Sequence, residues 1–317
     1  MLHLWSSAAY AIPLPDGHRF PMPKYAALRQ RVAALAPDRM REPEPATDAE
    51  LCGPHAAGYV ADVVSGSLDA AAQRRIGFPW SPAMVARSRH SAGATLAACR
   101  SALAHGCGIN LAGGTHHAHR DWGSGFCVFN DAAVAIRALQ AERRIERAMV
   151  VDLDVHQGDG TAAILTGDDS TFTLSLHGRR NFPFRKASSD LDVELDDGTG
   201  DVAYGSALRA ALGVALDRFM PDLVIYLAGA DPYVGDRLGR LALSKPGLAE
   251  RDRFVLETLA ARDVPVAIAM AGGYASDIQD SVDIHAATIG IALALHAPHG
   301  ATRAAAWFAR PGARLER

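Results

Sequence analysis

Residues 147–156 read RAMVVDLDVH, and the architecture turns on this stretch. Ala148–Val151 is a short apolar run with no polar alternation, the pattern of a strand buried on both faces. Working outward, the same kind of text recurs at 108–114 (GINLAGG), 171–177 (TFTLSLH), 222–229 (DLVIYLAG) and 264–273 (VPVAIAMAGG). Between these runs lie amphipathic helical stretches at 91–106, 131–144, 204–220 and 247–263, with Asp131 placed to cap the second, and the text after Ser281 reads as largely helical. Strands alternating with helices predict an α/β protein of three layers, a central, mainly parallel sheet covered by helices on both faces. The first ninety residues carry little periodicity and read as helices and loops packing on the same core. No linker or internal repeat divides the chain, so residues 1–317 are expected to form one domain.

The bulk properties fit. At 317 residues, with 49% hydrophobic and 21% charged residues, this is the composition of a globular protein with ample core. A net charge of −3 gives no footprint for nucleic acid or a membrane surface. Cys52, Cys99, Cys107 and Cys127 form no CxxC pair and read as reduced thiols. The N-terminus lacks a basic region ahead of an apolar core, and no apolar run approaches the ~20 residues of a spanning helix. A soluble, cytoplasmic protein is the expectation; oligomeric state is not legible.

In parallel α/β sheets, ligands bind beyond the carboxyl ends of the strands. Here those ends carry His116 and His117, then Asp154 and His156, then Asp231, then Gly272, Gly273 and Tyr274. Asp152, Asp154 and His156 are spaced by two, so extended backbone would turn them to one side. Carboxylates crowded beside a buried run are costly unless a cation sits among them. Asp154, His156 and Asp231 therefore read as three metal ligands with a position left open, the signature of a catalytic ion rather than a structural one. Two carboxylates and an imidazole suit zinc and tolerate ferrous iron. The adjacent histidines read as proton handlers beside a metal-activated water, with Asp152 and Asp159 available to orient them and Tyr274 available as an oxyanion donor.

In this order, GGTHHAHRDWGSGFCVFND (113–131), VDLDVHQGDG (151–160), LAGADPYVGDRLG (227–239) and AGGY (271–274) resemble the zinc-dependent histone deacetylase family of the arginase–deacetylase fold. The resemblance runs from about residue 90 to 290, and GDRLGRLALSKPGLAERD (235–252) is most similar to the class IV, histone deacetylase 11-like branch and its bacterial relatives. It implies Asp154, His156 and Asp231 as zinc ligands, His116 paired with Asp152, His117 paired with Asp159 as the main general base and acid, and Tyr274 as oxyanion donor. It further implies an acyl-lysine channel walled by Gly125, Phe126 and Phe182, with Phe184 competing for the last place, and with Gly272 beside it. A structural K⁺ or Na⁺ site is implied at Asp152, Asp154, His156, Ser175 and Leu176. The implied substrate is an acyl-lysine protein or peptide, or else a small acylated amine such as an acetylpolyamine.

Two other readings compete. A dinuclear arginase-like centre needs a carboxylate two residues beyond Asp231, where this chain has Tyr233. A non-catalytic zinc- or acyl-binding module would be expected to have lost a ligand, histidine or tyrosine, and all are present. His18, Arg19 and Lys24 read as surface or loop residues.

Overall fold

The computed structural model describes residues 1–296; the end of the helical stretch expected after Ser281 lies outside the described residues. Among the described residues, eight strands form one sheet: β1 (Leu4–Trp5), β2 (Met40–Arg41), β3 (Cys107–Asn110), β4 (Ala148–Asp152), β5 (Thr171–Gly178), β6 (Leu191–Leu195), β7 (Leu223–Leu227) and β8 (Val266–Ala269). Their order is β2-β1-β3-β8-β7-β4-β5-β6, and every pairing is parallel. The helices are α1 (Pro23–Leu35), α2 (Asp48–Leu51), α3 (Ala57–Ser65), α4 (Ala70–Ile76), α5 (Pro82–His105), α6 (Asp131–Ala141), α7 (Asp159–Leu165), α8 (Asp201–Arg218), α9 (Lys245–Ala260) and α10 (Ile278–Leu295).

Strands β7 and β8 are apolar throughout, and β4 is apolar up to Asp152, because both of their faces are covered. Met149, Val151, Val224, Tyr226 and Ile268 pack with Leu28 of α1, Leu212 of α8, Val255 of α9 and Ile289 of α10. Their neighbours Val150, Ile225 and Ala267 face the other way, against Leu96 of α5 and Ile136 of α6. This is the expected three-layer α/β architecture.

The differences from the sequence reading have local causes. The long helix α5 begins at Pro82, not near 91, because Ser81 caps it by accepting the Met84 N–H and Pro82 suits the first turn. Strand β4 stops at Asp152, so Asp154 and His156 sit in a loop and converge without strand alternation. Strands β1 and β2 have two residues each, too short to leave a pattern, and β6 is a half-buried edge. The first ninety residues supply those two strands and most of a third apolar cluster, in which Ile12, Leu51, Tyr59, Val60 and Phe78 pack with Phe129. Cys99, Cys107 and Cys127 are buried, Cys52 is half-buried, and all four are free thiols. Among the described residues, no helix is long and apolar enough to cross a membrane.

Candidate active site

β3, β8, β7 and β4 are consecutive neighbours in the sheet, and the chemistry-bearing residues follow their carboxyl ends. After β3 the chain turns through Gly113 and Gly114 into the His116–His117 loop. Asp131 anchors this loop rather than capping α6. Its carboxylate accepts from Gly114 N (2.9 Å), Thr115 N (2.8 Å) and the hydroxyls of Thr95 (2.6 Å) and Thr115 (2.8 Å). The helix cap falls one residue earlier, where Asn130 Oδ1 accepts from Ala133 N.

The doublet is thereby presented to two carboxylates. His116 Nδ1–H donates to Asp152 Oδ2 at 2.7 Å, and His117 Nδ1–H donates to Asp159 Oδ1 at 2.6 Å. The two rings lie 4.2 Å apart between centroids. Burial lowers the His116 pKa, but Asp152 and Asp154 outweigh it and raise the group to about 9. For His117, burial and the neighbouring His116 together win over Asp159, and the group falls to about 4. The adjacent imidazoles are thus shifted in opposite directions, because His116 faces two carboxylates and His117 one. The carboxylate of Asp159 is also shared with His119, whose Nε2–H donates at 3.1 Å while its ring stacks on Trp122.

Asp154, His156 and Asp231 bring one ligand atom each within 4.8 Å of one another, all buried. His156 Nδ1 faces Asp154 Oδ1 at 2.9 Å and Asp231 Oδ2 at 3.3 Å. Burial and then Asp154 push the Asp231 carboxyl up to about 7, the mark of carboxylates that repel each other. Asp231 Oδ2 is buried without a hydrogen-bond partner. A proton on His156 would ease the repulsion yet leave that oxygen orphaned, whereas a cation satisfies all three groups. The donor set fits a divalent ion. Gly272 closes against the trio: a Cβ there would lie 1.9 Å from Asp231 Oδ2 and 2.6 Å from Asp154 Oδ2, and its N–H donates to Asp154 Oδ2 at 2.8 Å.

Tyr274 lines the same cavity, its N–H held by Asp236 at 2.6 Å. Burial, then Tyr25, Asp154 and Asp231, push its phenol well above the ordinary value, so it remains a hydroxyl donor. The cavity has a volume of about 600 Å³ and is walled by Gly125, Phe126, Phe182 and Phe184. Phe182 packs edge-on against His117 (4.9 Å between centroids), while Phe184 is 86% exposed and sits farther out. Gly125 adopts φ +54°, and a Cβ there would lie 2.7 Å from His117. Ser175 is the sheet partner of Asp152, and Leu176 follows it on β5, both buried.

Several functional neighbours carried no sequence signal. Lys24, read as a surface residue, is 2% exposed; its Nζ lies 3.4 Å from Ala271 O and 3.3 Å from Gly273 O, and 5.9 Å from the Tyr274 ring. Arg19 does lie exposed, on the cavity wall. His55, also buried, joins the His119 carbonyl to Asn130 N. His119 could have been suspected, standing two residues beyond the doublet.

Residues 18–289 match the model of the histone deacetylase domain. An uncharacterised protein of Picosynechococcus sp. is 45% identical over 279 residues, covering 87% of this chain and 93% of that protein. The histone deacetylase-like amidohydrolase of Pseudomonas aeruginosa is 32% identical over 277 residues, covering 76% and 71%. Histone deacetylase 2 of Arabidopsis thaliana is 36% identical over 202 residues, covering 62% of this chain, and the match spans between about a third and about half of the length of the plant relatives. A crystal structure of a histone deacetylase homologue complexed with SAHA superposes with a TM-score of 0.79 at 25% identity, over 91% of this chain and 82% of that one. The homologue from Aquifex aeolicus shares the fold, with a TM-score of 0.78 over 91% and 82%. The chain belongs to the histone deacetylase family.

Proposed function

We propose that residues 1–317 form one catalytic domain that hydrolyses an amide-linked acyl group from a lysine-type amine. Membership of the family supports a deacetylase-type amidohydrolase, and the family is generally metal-dependent. The observation that carries the finer reading is the pairing of His117 with Asp159 beside the Asp154, His156 and Asp231 trio in a cavity of about 600 Å³. Asp154, His156 and Asp231 would hold the ion, with zinc expected and ferrous iron compatible. Such an ion supplies Lewis acidity toward water and the amide carbonyl.

The chain supplies the proton handling. His117, neutral and with Nδ1–H committed to Asp159, keeps Nε2 free to accept a proton from water and to return it to the departing amine. His116, with Nδ1–H held by Asp152, acts as the electrostatic partner beside the developing oxyanion. The Tyr274 hydroxyl donates to that oxyanion. Gly125, Phe126 and Phe182 exclude water around an extended alkyl chain, with Phe182 rather than Phe184 against His117. Asp152, Asp154, His156, Ser175 and Leu176 are proposed to hold the monovalent ion.

The test is acyl release, followed by mass spectrometry, from acetyl-, octanoyl- and myristoyl-lysine peptides and acetylated polyamines, with Tyr274→Phe in parallel. Turnover that falls about 10²–10³-fold in Tyr274→Phe at unchanged substrate affinity supports the roles. Absence of turnover across the panel by the zinc-loaded protein would refute the hydrolase reading.

A further inference from the structure

The wall of the cavity carries one sign of charge. Arg19, Arg74, Arg75, Arg180 and Arg240 all line it, and among the described residues its lining contains no carboxylate other than the buried Asp154 and Asp231. These five exposed arginines come from four separate segments: the loop before α1, α4, the loop after β5 and the loop after β7. Their charge is only partly offset. Asp197 serves both Arg240 (3.3 Å) and Arg180 (3.8 Å), one carboxylate for two guanidiniums. Arg75 lies over the Trp122 ring and donates to the Gly123 carbonyl, which leaves its charge in place. Arg19 and Arg74 form no ion pair among the described residues. On a chain whose net charge is −3, this is a local concentration and not a general property.

Like charges around an apolar mouth focus a field outward, attracting anionic ligands and repelling cationic ones. Guanidiniums also accept carboxylates in forked geometry. We infer that the site selects acylated amines flanked by carboxylates, foremost an acyl-lysine in an acidic peptide, and discriminates against acylated polyamines. The inference rests on the acyl-amine reading above and supplies its substrate class.

The test uses the zinc-loaded full chain and one labelled neutral acetyl-lysine peptide, displaced in turn by four unlabelled competitors. These are an acetyl-lysine peptide flanked by Asp and Glu, the same peptide flanked by Lys and Arg, free Nε-acetyl-lysine, and acetylspermidine. The acidic peptide should compete about tenfold better than the basic one at low ionic strength, and the ratio should fall toward about two- to threefold at high salt. Acetylspermidine should be the poorest competitor, and free Nε-acetyl-lysine distinguishes a single carboxylate on a small molecule from the flanks of a peptide. Arg74→Glu/Arg180→Glu should erase or invert the preference, with Arg74→Gln/Arg180→Gln intermediate and circular dichroism confirming that both fold. Equal competition by acidic and basic peptides, a basic preference, or a preference unchanged in the double variants overturns the inference. Turnover without charge preference sinks only the rim selection, and charge-selective binding without turnover of any acylated substrate sinks only the hydrolase reading.

Discussion

Replacing His55 by glutamine should flatten the pH dependence of stability on the acid side. The imidazole is 1% exposed and sits behind the loop that presents His116 and His117. Its Nδ1 lies 2.9 Å from the His119 carbonyl, which only accepts, so Nδ1 carries the proton. Its Nε2 lies 2.9 Å from the Asn130 N–H, which only donates, so Nε2 must be bare. Both bonds exist only in the neutral ring, and protonation would set two N–H groups against each other in a buried place. Burial accordingly lowers the pKa from 6.5 to about 4. Because the folded value is depressed, the unfolded chain binds more protons between those limits, and stability rises with pH across that window. Linkage with these two values makes the loss about 2 kcal/mol on going from pH 7.5 to 5 and about 3 kcal/mol on going to pH 4. Urea unfolding at several pH values, on wild type and His55→Gln, measures it. Glutamine can both donate and accept but does not titrate, so the wild type should lose about 2–3 kcal/mol more than the variant over this range, whatever the offset between them. His177, also lowered to about 4, contributes equally to both proteins and cancels. Parallel curves, with a difference under about 1 kcal/mol, would refute the argument that His55 is held neutral by its two partners.

Other expected outcomes are more direct. Gly272→Ala drives a methyl group into Asp231 and Asp154, so metal content by mass spectrometry should fall to background while circular dichroism is unchanged; normal loading would show that the trio tolerates displacement. Chelation of the metal-loaded protein should lower its thermal midpoint, since it leaves Asp154 and Asp231 facing each other, and Asp231→Asn should blunt that response. Lys24→Met removes the buried ammonium behind Ala271 and Gly273, and should lower kcat about tenfold with KM changed less than twofold, the cost of about 1.4 kcal/mol in holding Tyr274 in place. An unchanged kcat would make Lys24 a packing residue only.

The legible part of this protein was what a single segment could carry. VDLDVHQGDG, AGGY and the His116–His117 doublet each follow an apolar run, and the rule that parallel strands present their carboxyl ends together was enough to associate residues more than a hundred positions apart. That worked because β3, β8, β7 and β4 are immediate neighbours in the sheet. The exact paths were less legible: β4 ends before Asp154, and Asp131 anchors a loop instead of capping a helix, because which carbonyls and amides lie within reach is decided by chain segments distant in sequence.

What only the tertiary structure decided has a common cause. Lys24 meets Ala271 and Gly273 across 247 and 249 positions, and His55 meets Asn130 across 75, contacts in which one end, Lys24 or His55, lies in a segment with no periodic or motif-bearing context. The arginines on the cavity wall are likewise unremarkable in their own segments and acquire meaning only when four segments fold to one opening. Sequence alone determines the central strands and the polar residues that follow their ends, since those are properties of short stretches and their order. The buried cation, the neutral histidine and the charge of the mouth arise from packing between segments that share no local signal, and so only the folded chain decides them.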